Sequence, residues 1–95
     1  MTNILYEADQ IVNQRSEEKE RQYGPFSEGI AYAAQIYNAI KPIDDASITP
    51  EGVFRVLISL KLSREKYNHK EDNLLDCVAY MGALNNYIEE KNNIL

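Results

Sequence analysis

The sequence predicts an all-α fold, a four-helix bundle-like single domain, and this prediction depends on three observations. Apolar residues recur at helical spacing in four segments, no segment alternates apolar and polar residues over a strand length, and turn-forming residues separate the segments. A chain of 95 residues is the size of one domain, and its small core favours an oligomer. We predict one domain over residues 1–95, with helices at about 3–22, 27–41, 50–66 and 71–91.

The first two predicted helices are defined by their apolar faces and by a stop signal between them. Tyr23, Gly24 and Pro25 end the first helix, because glycine permits a left-handed cap and proline cannot continue the hydrogen-bond ladder. Ser27 is the expected N-cap of the second helix, and Pro42 follows its end. The inward residues are expected to be Ile4, Leu5, Ala8, Ile11 and Val12, then Ile30, Ala33, Ala34, Tyr37 and Ile40.

The last two predicted helices follow a loop at residues 42–49. Thr49 with Pro50 behind it is a strong helix start, since threonine caps and proline fits the first turn. The third helix carries apolar residues over more than half of its circumference, so we expect it to be central and buried on two sides. Its apolar residues are Val53, Phe54, Val56, Leu57, Ile58 and Leu60, and those of the fourth helix are Leu74, Leu75, Val78, Met81, Leu84 and Ile88.

Charge and composition exclude several classes of function. The net charge of −5 argues against a phosphate-backbone binder, which needs a basic face, so nucleic acid is a poor candidate partner. The single cysteine, Cys77, cannot form an intramolecular disulfide and is expected to be a small core side chain. No leader pattern and no membrane-length apolar run occur. We expect a soluble, cytoplasmic protein that makes no membrane contact.

Charged residues at the facing ends of the last two helices form the candidate site. Lys61 and Arg64 lie near the end of the third helix, whereas Asp72 and Asp76, at i and i+4, share one face of the fourth, and Tyr80 continues that face. If the helices are antiparallel, the cations and carboxylates meet. They then form either a structural clamp or a site in which the cations bind phosphate oxygens.

A magnesium site is the alternative use of the carboxylates, since Mg²⁺ prefers oxygen ligands completed by water and phosphate. Further ligands would have to come from Glu17, Glu20 or Glu28, although the first two belong to a charge run and Glu28 also suits a helix N-terminus. Tyr23 either closes the end of the bundle or stacks on a planar base. His69 has no second histidine or cysteine at ligand spacing and is expected in a surface turn.

Three stretches of the chain resemble small phage and prophage proteins. They are a Tyr-Gly turn followed by an aromatic residue, LKLSR in the third helix and KEDNLLDCVAYMGAL in the fourth. The similarity is to the all-α MazG-like class and to nucleotide-modification-associated families, over residues 15–85. It implies a helical oligomer that handles a nucleotide. The MazG-like pattern holds Mg²⁺ by Glu-x-x-Glu and Glu-x-x-Asp pairs. Glu17 and Glu20 match the first pair, but Asp72 and Asp76 have a different spacing from the second.

The resemblance implies a binder more than an enzyme, because the second carboxylate pair departs from the hydrolase pattern. The leading hypothesis is a phage-type protein of the host cell cytoplasm that sequesters a host immune nucleotide signal, an anti-defence role without a required cofactor. Lys61 and Arg64 would bind phosphate, and Tyr23 or Tyr80 the base. The alternatives are a Mg²⁺-dependent nucleotide pyrophosphohydrolase and an acidic protein inhibitor of a host nucleic-acid-binding effector.

Overall fold

The protein is all-α, as predicted. The computed structural model describes residues 3–14 and 26–93, without the side chains of residues 26 and 27. Those residues form four helices, which we number in chain order: α1 (Ile4–Asn13), α2 (Phe26–Ile40), α3 (Pro50–Tyr67) and α4 (Glu71–Asn93).

The two C-terminal helices begin where the sequence predicts and end within two residues of the predicted positions. Thr49 is the N-cap of α3: its side-chain oxygen accepts a hydrogen bond of 3.1 Å from the Gly52 N–H. Pro50 opens the helix, where a missing N–H donor costs nothing. Residues 68–70 then connect α3 to α4. So short a connection makes the two helices antiparallel neighbours.

Helix α2 lies within one residue of its predicted bounds at each end, whereas α1 is shorter than predicted. Asn3 caps α1 by accepting hydrogen bonds from the Leu5 and Tyr6 N–H groups, and α1 ends at Asn13 rather than at 22. The rest of that prediction, including Tyr23, Gly24 and Pro25, lies outside the described residues. The expectation that Ser27 is an N-cap is wrong, because α2 already includes Phe26 and Ser27.

The α3–α4 hairpin (residues 50–93) is the centre of the fold. The Phe54 ring lies 6.2 Å from the Tyr87 ring, centroid to centroid, and Lys91 Nζ lies 3.1 Å from a Glu51 carboxylate oxygen. These contacts pair the start of α3 with the end of α4. Helix α1 packs on α4, and α2 packs on α3, so the hairpin lies between the two shorter helices.

The core is small and depends on small side chains. Ile30, Phe54 and Ala83 form its buried cluster, and Phe54 is completely buried. Cys77 is buried as predicted. Several predicted core residues are instead exposed, namely Leu5, Ile11, Ala33, Tyr37, Ile40, Val56, Leu60, Leu74, Met81 and Ile88. Alanine and cysteine occupy the inner positions because small side chains let helices approach closely, which turns the larger residues outward.

The loop between α2 and α3 is fixed by one side chain. Asn38 Nδ2 donates to the Ile48 carbonyl at 2.9 Å, and Asn38 Oδ1 accepts from the Ile48 N–H at 2.8 Å. Both polar backbone groups of Ile48 are therefore satisfied by α2. None of the described helices combines the length and apolar character needed to cross a membrane.

Candidate functional site

The candidate site lies on the α3–α4 hairpin, where the facing helices bring Lys61 and Asp76 together. Lys61 Nζ lies 2.8 Å from Asp76 Oδ2, and the two side chains are 19% and 34% exposed. The position follows from the sequence, since Lys61 lies seven residues, about two turns, after Phe54 and so points towards α4. A partly buried pair of this kind holds the ammonium group in one place.

Arg64 and Asp72 complete the predicted group of four charges, but they do not pair. Both side chains are exposed, and neither forms an ion pair within residues 3–14 and 26–93. Arg64 lies three residues after Lys61, and Asp72 lies four residues before Asp76. The predicted cluster is thus half formed: one pair is closed, and beside it a guanidinium and a carboxylate remain open to solvent.

The structure describes one of the two tyrosines that were predicted to belong to the site. Tyr80 is half-buried and lies one turn after Asp76 on α4. Tyr23 lies outside the described residues. Of the two tyrosines predicted to contact a base, the structure therefore describes only Tyr80.

The metal candidates form no metal-binding group within the described part of the chain. Glu17 and Glu20 lie outside it, whereas Glu28 is exposed in the first turn of α2. Among residues 3–14 and 26–93, no three acidic, histidine or cysteine side chains come together as a metal-binding group. A Mg²⁺ site with Asp72 and Asp76 would need ligands from residues 15–25.

The turn of the hairpin contains a contact that the sequence analysis missed. His69 Nδ1 is hydrogen-bonded to the Glu65 carboxylate, which also accepts from the Lys70 N–H at 3.1 Å. Burial raises the pKa of Glu65, but these hydrogen bonds outweigh burial and hold the pKa below its ordinary value. The spacing of Glu65 and His69, i and i+4 at a helix end, was the available signal.

Basic side chains cluster around the same turn. Four of the ten Lys and Arg residues of this acidic chain lie in residues 61–70: Lys61, Arg64, Lys66 and Lys70. Arg64, Lys66 and Lys70 are exposed. Four carboxylates, those of Glu65, Glu71, Asp72 and Asp76, lie at the same end of the hairpin, so the basic side chains are matched in number by acidic ones, and Lys61 is paired with Asp76.

A separate cleft of about 220 Å³ lies between α1 and α4. Hydrogen bonds join its polar residues in series, from Asn86 Nδ2 to Asn13 Oδ1 at 2.9 Å and from Asn13 Nδ2 to Asp9 Oδ1 at 2.7 Å. Its lining includes none of the predicted site residues. The sequence does not predict this cleft, because the spacing of Asn13 and Asn86 does not indicate which helix each side chain faces.

Comparison with known proteins gives one result. A family model described as "Domain of unknown function (DUF6378)" matches residues 3–88. The chain belongs to the DUF6378 family. No curated protein and no solved structure matches it. The DUF6378 match includes every residue assigned to the candidate site, from Glu17 to Tyr80.

Proposed function

We propose that this DUF6378 protein binds a small nucleotide-like ligand at the turn end of the α3–α4 hairpin and holds it without cleaving it. The phosphate groups would lie against Lys61 and Arg64, and Tyr80 or Tyr23 would contact the base. In a phage-type setting, such a protein would sequester a nucleotide signal of the host immune system. The MazG-like resemblance and the hairpin charges support this proposal.

The observation that carries the proposal is the Lys61–Asp76 pair at 2.8 Å, next to an exposed Arg64. A cation that a carboxylate already orients loses little conformational freedom when an anion binds. Arg64 adds a planar donor group suited to phosphate oxygens. Asp76 would therefore position Lys61, and its own contact with a ligand is not required.

Binding without cleavage is favoured over hydrolysis by the carboxylate spacing. The MazG-like hydrolase pattern needs two carboxylate pairs, and Asp72 with Asp76 departs from the second. The pyrophosphohydrolase alternative keeps Mg²⁺ on these two residues with Glu17 or Glu20, because Glu28 joins no acidic group with them among residues 3–14 and 26–93. The hydrolase requires a divalent cation and the proposed binding does not, so the two functions can be distinguished by measurements with and without Mg²⁺.

The proposal is tested by equilibrium dialysis of the full chain against nucleoside mono-, di- and triphosphates and cyclic dinucleotides, with EDTA and then with Mg²⁺. We expect one class of nucleotide to bind in EDTA and to be recovered intact by ion-exchange chromatography. A strict Mg²⁺ requirement with release of pyrophosphate would replace the proposal by the enzyme. Absence of binding under both conditions would leave the acidic protein-inhibitor hypothesis, to be pursued by pull-down of host proteins.

The site is tested by one matched pair of variants. Arg64→Gln should weaken nucleotide binding about 10- to 100-fold, because hydrogen bonds to charged groups contribute about 1.5–3 kcal/mol. Arg55→Gln removes the same charge from an exposed position near the other end of α3 and should leave binding unchanged. Equal losses in both variants would show that net charge, rather than this site, determines affinity.

A further inference from the structure

Helix α2 differs from the other helices in having no charge along most of its length. Residues 29–40 read GIAYAAQIYNAI, without a single charged side chain. A helix that is apolar on all sides is normally buried on all sides. In the described structure α2 packs on α3, and its two buried residues are Ile30 and Ala34, which lie on one side.

The opposite side of α2 is exposed and carries no charge. We define the α2 outer face as six exposed residues: Gly29, Tyr32, Ala33, Ile36, Ala39 and Ile40. The exposed fractions of Tyr32, Ile36 and Ile40 are 59%, 60% and 76%. At roughly 200 Å² for a fully exposed large side chain, these three expose on the order of 400 Å². The largest contiguous apolar patch on a typical soluble monomer is about 300–600 Å² and is often functional.

We infer that a second copy of this chain covers the α2 outer face, with the two α2 helices antiparallel about a two-fold axis. The proposal is independent of the proposed nucleotide binding. A partner typically contributes about 800 Å² to a stable interface, so the three large side chains supply about half of that area and the residues around them the rest.

The sequence of the outer face is complementary to itself in the antiparallel arrangement. A two-fold axis between Ala34 and Gln35 places Ile36 opposite Ala33 of the partner subunit. The same axis places Ile40 opposite Gly29 of the partner subunit. Ile36 and Ile40 then each meet a small residue, as ridge-into-groove packing favours, whereas Tyr32 lies opposite Tyr37 of the partner subunit, and the symmetry forms every contact twice.

The charges at the two ends of α2 favour the same arrangement. Glu28 precedes the uncharged segment, and Lys41 follows it. Antiparallel helices bring Glu28 towards the end that carries Lys41 of the partner subunit, so opposite charges meet at both ends. Parallel helices would place Glu28 beside Glu28 of the partner subunit. Because each chain carries a net charge of −5, an uncharged face with attractive ends is where two copies can approach.

Sedimentation equilibrium of the full chain across micromolar concentrations tests the inference. We expect a dimer for the native sequence and a monomer with unchanged far-ultraviolet circular dichroism for Ile36→Asp. The dissociation constant should rise by at least about 100-fold, because the variant buries an unpaired carboxylate. Val56→Asp is the control, since Val56 is 58% exposed on α3, close to the 60% of Ile36. It should remain dimeric.

A charge exchange keeps the test decisive if Ile36→Asp impairs folding. Glu28→Lys should weaken the dimer by a smaller factor, and Glu28→Lys combined with Lys41→Glu should restore it. A native chain that is still monomeric at about 100 µM would overturn the inference, because even a weak dimer forms at that concentration. So would a dimer that Ile36→Asp leaves intact or that Val56→Asp dissociates.

Discussion

Helix α2 is much richer in apolar residues than the α3–α4 hairpin, and the two regions use these residues differently. The hairpin is closed along its length by contacts within the chain: Glu51 with Lys91, Phe54 with Tyr87, and Lys61 with Asp76. Helix α2 packs one side on α3 and leaves the other exposed. The hairpin carries the fold and the candidate site, whereas α2 carries the surface that we assign to a second copy.

The difference separates two sources of stability. Contacts within the hairpin form in a single chain, so their contribution does not depend on protein concentration. The proposed contacts of the α2 outer face would form only when two chains meet, so their contribution would rise with concentration. Variants in the two regions should therefore respond differently to dilution.

The largest expected effect is in the hairpin, at Phe54. Phe54→Ala should lower the free energy of unfolding by about 3–5 kcal/mol, because it removes the fully buried ring and leaves a cavity. Urea denaturation measures the loss. Val56→Ala, a truncation at an exposed position of the same helix, should change stability by less than about 0.5 kcal/mol. Similar losses in the two variants would contradict the observed orientation of α3.

A smaller effect is expected where α2 is attached to the chain, at Asn38. Asn38→Ala should cost about 1–3 kcal/mol, because both polar backbone groups of Ile48 lose their partner. Thermal unfolding at a fixed concentration measures it, with Gln35→Ala, an exposed amide on the same helix, as the control. A loss that disappears on dilution would place Asn38 in the interface between copies instead of in the attachment of α2.

The smallest expected effect is a pH dependence at the hairpin turn. The pKa of Glu65 is lowered in the folded chain, so its carboxylate stabilises the fold above the unfolded pKa, near 4.5, and this contribution is lost as the pH falls through the lowered folded pKa. Glu65→Gln should therefore lower the melting temperature at pH 7 and lose that difference in the acid range below 4.5. Glu90→Gln, at an exposed acidic position of α4, is the control. A difference that persists unchanged at pH 3 would show that Glu65 acts through packing.

Much of the hairpin was predictable because its signals are local. Thr49 and Pro50 define the start of α3, and a three-residue connection leaves antiparallel packing as the compact solution. Lys61 and Asp76 could be paired on that basis. No local signal in the sequence shows that Arg64 and Asp72, which lie nearby, stay exposed and unpaired with each other. An ion pair requires that the two side chains point towards each other, and closeness in sequence does not determine this.

The amino-acid sequence by itself determined the all-α class, the start of α3, the burial of Cys77 and the uncharged character of α2, since each depends on residue type and short-range spacing. The tertiary structure decided which apolar residues are inside. Ala79 and Ala83 line the interior while Val56 and Met81 face outward, because the closest approach of helices selects small side chains over large ones. It also decided that the α2 outer face is exposed among the described residues, since exposure depends on how the helices pack around α2.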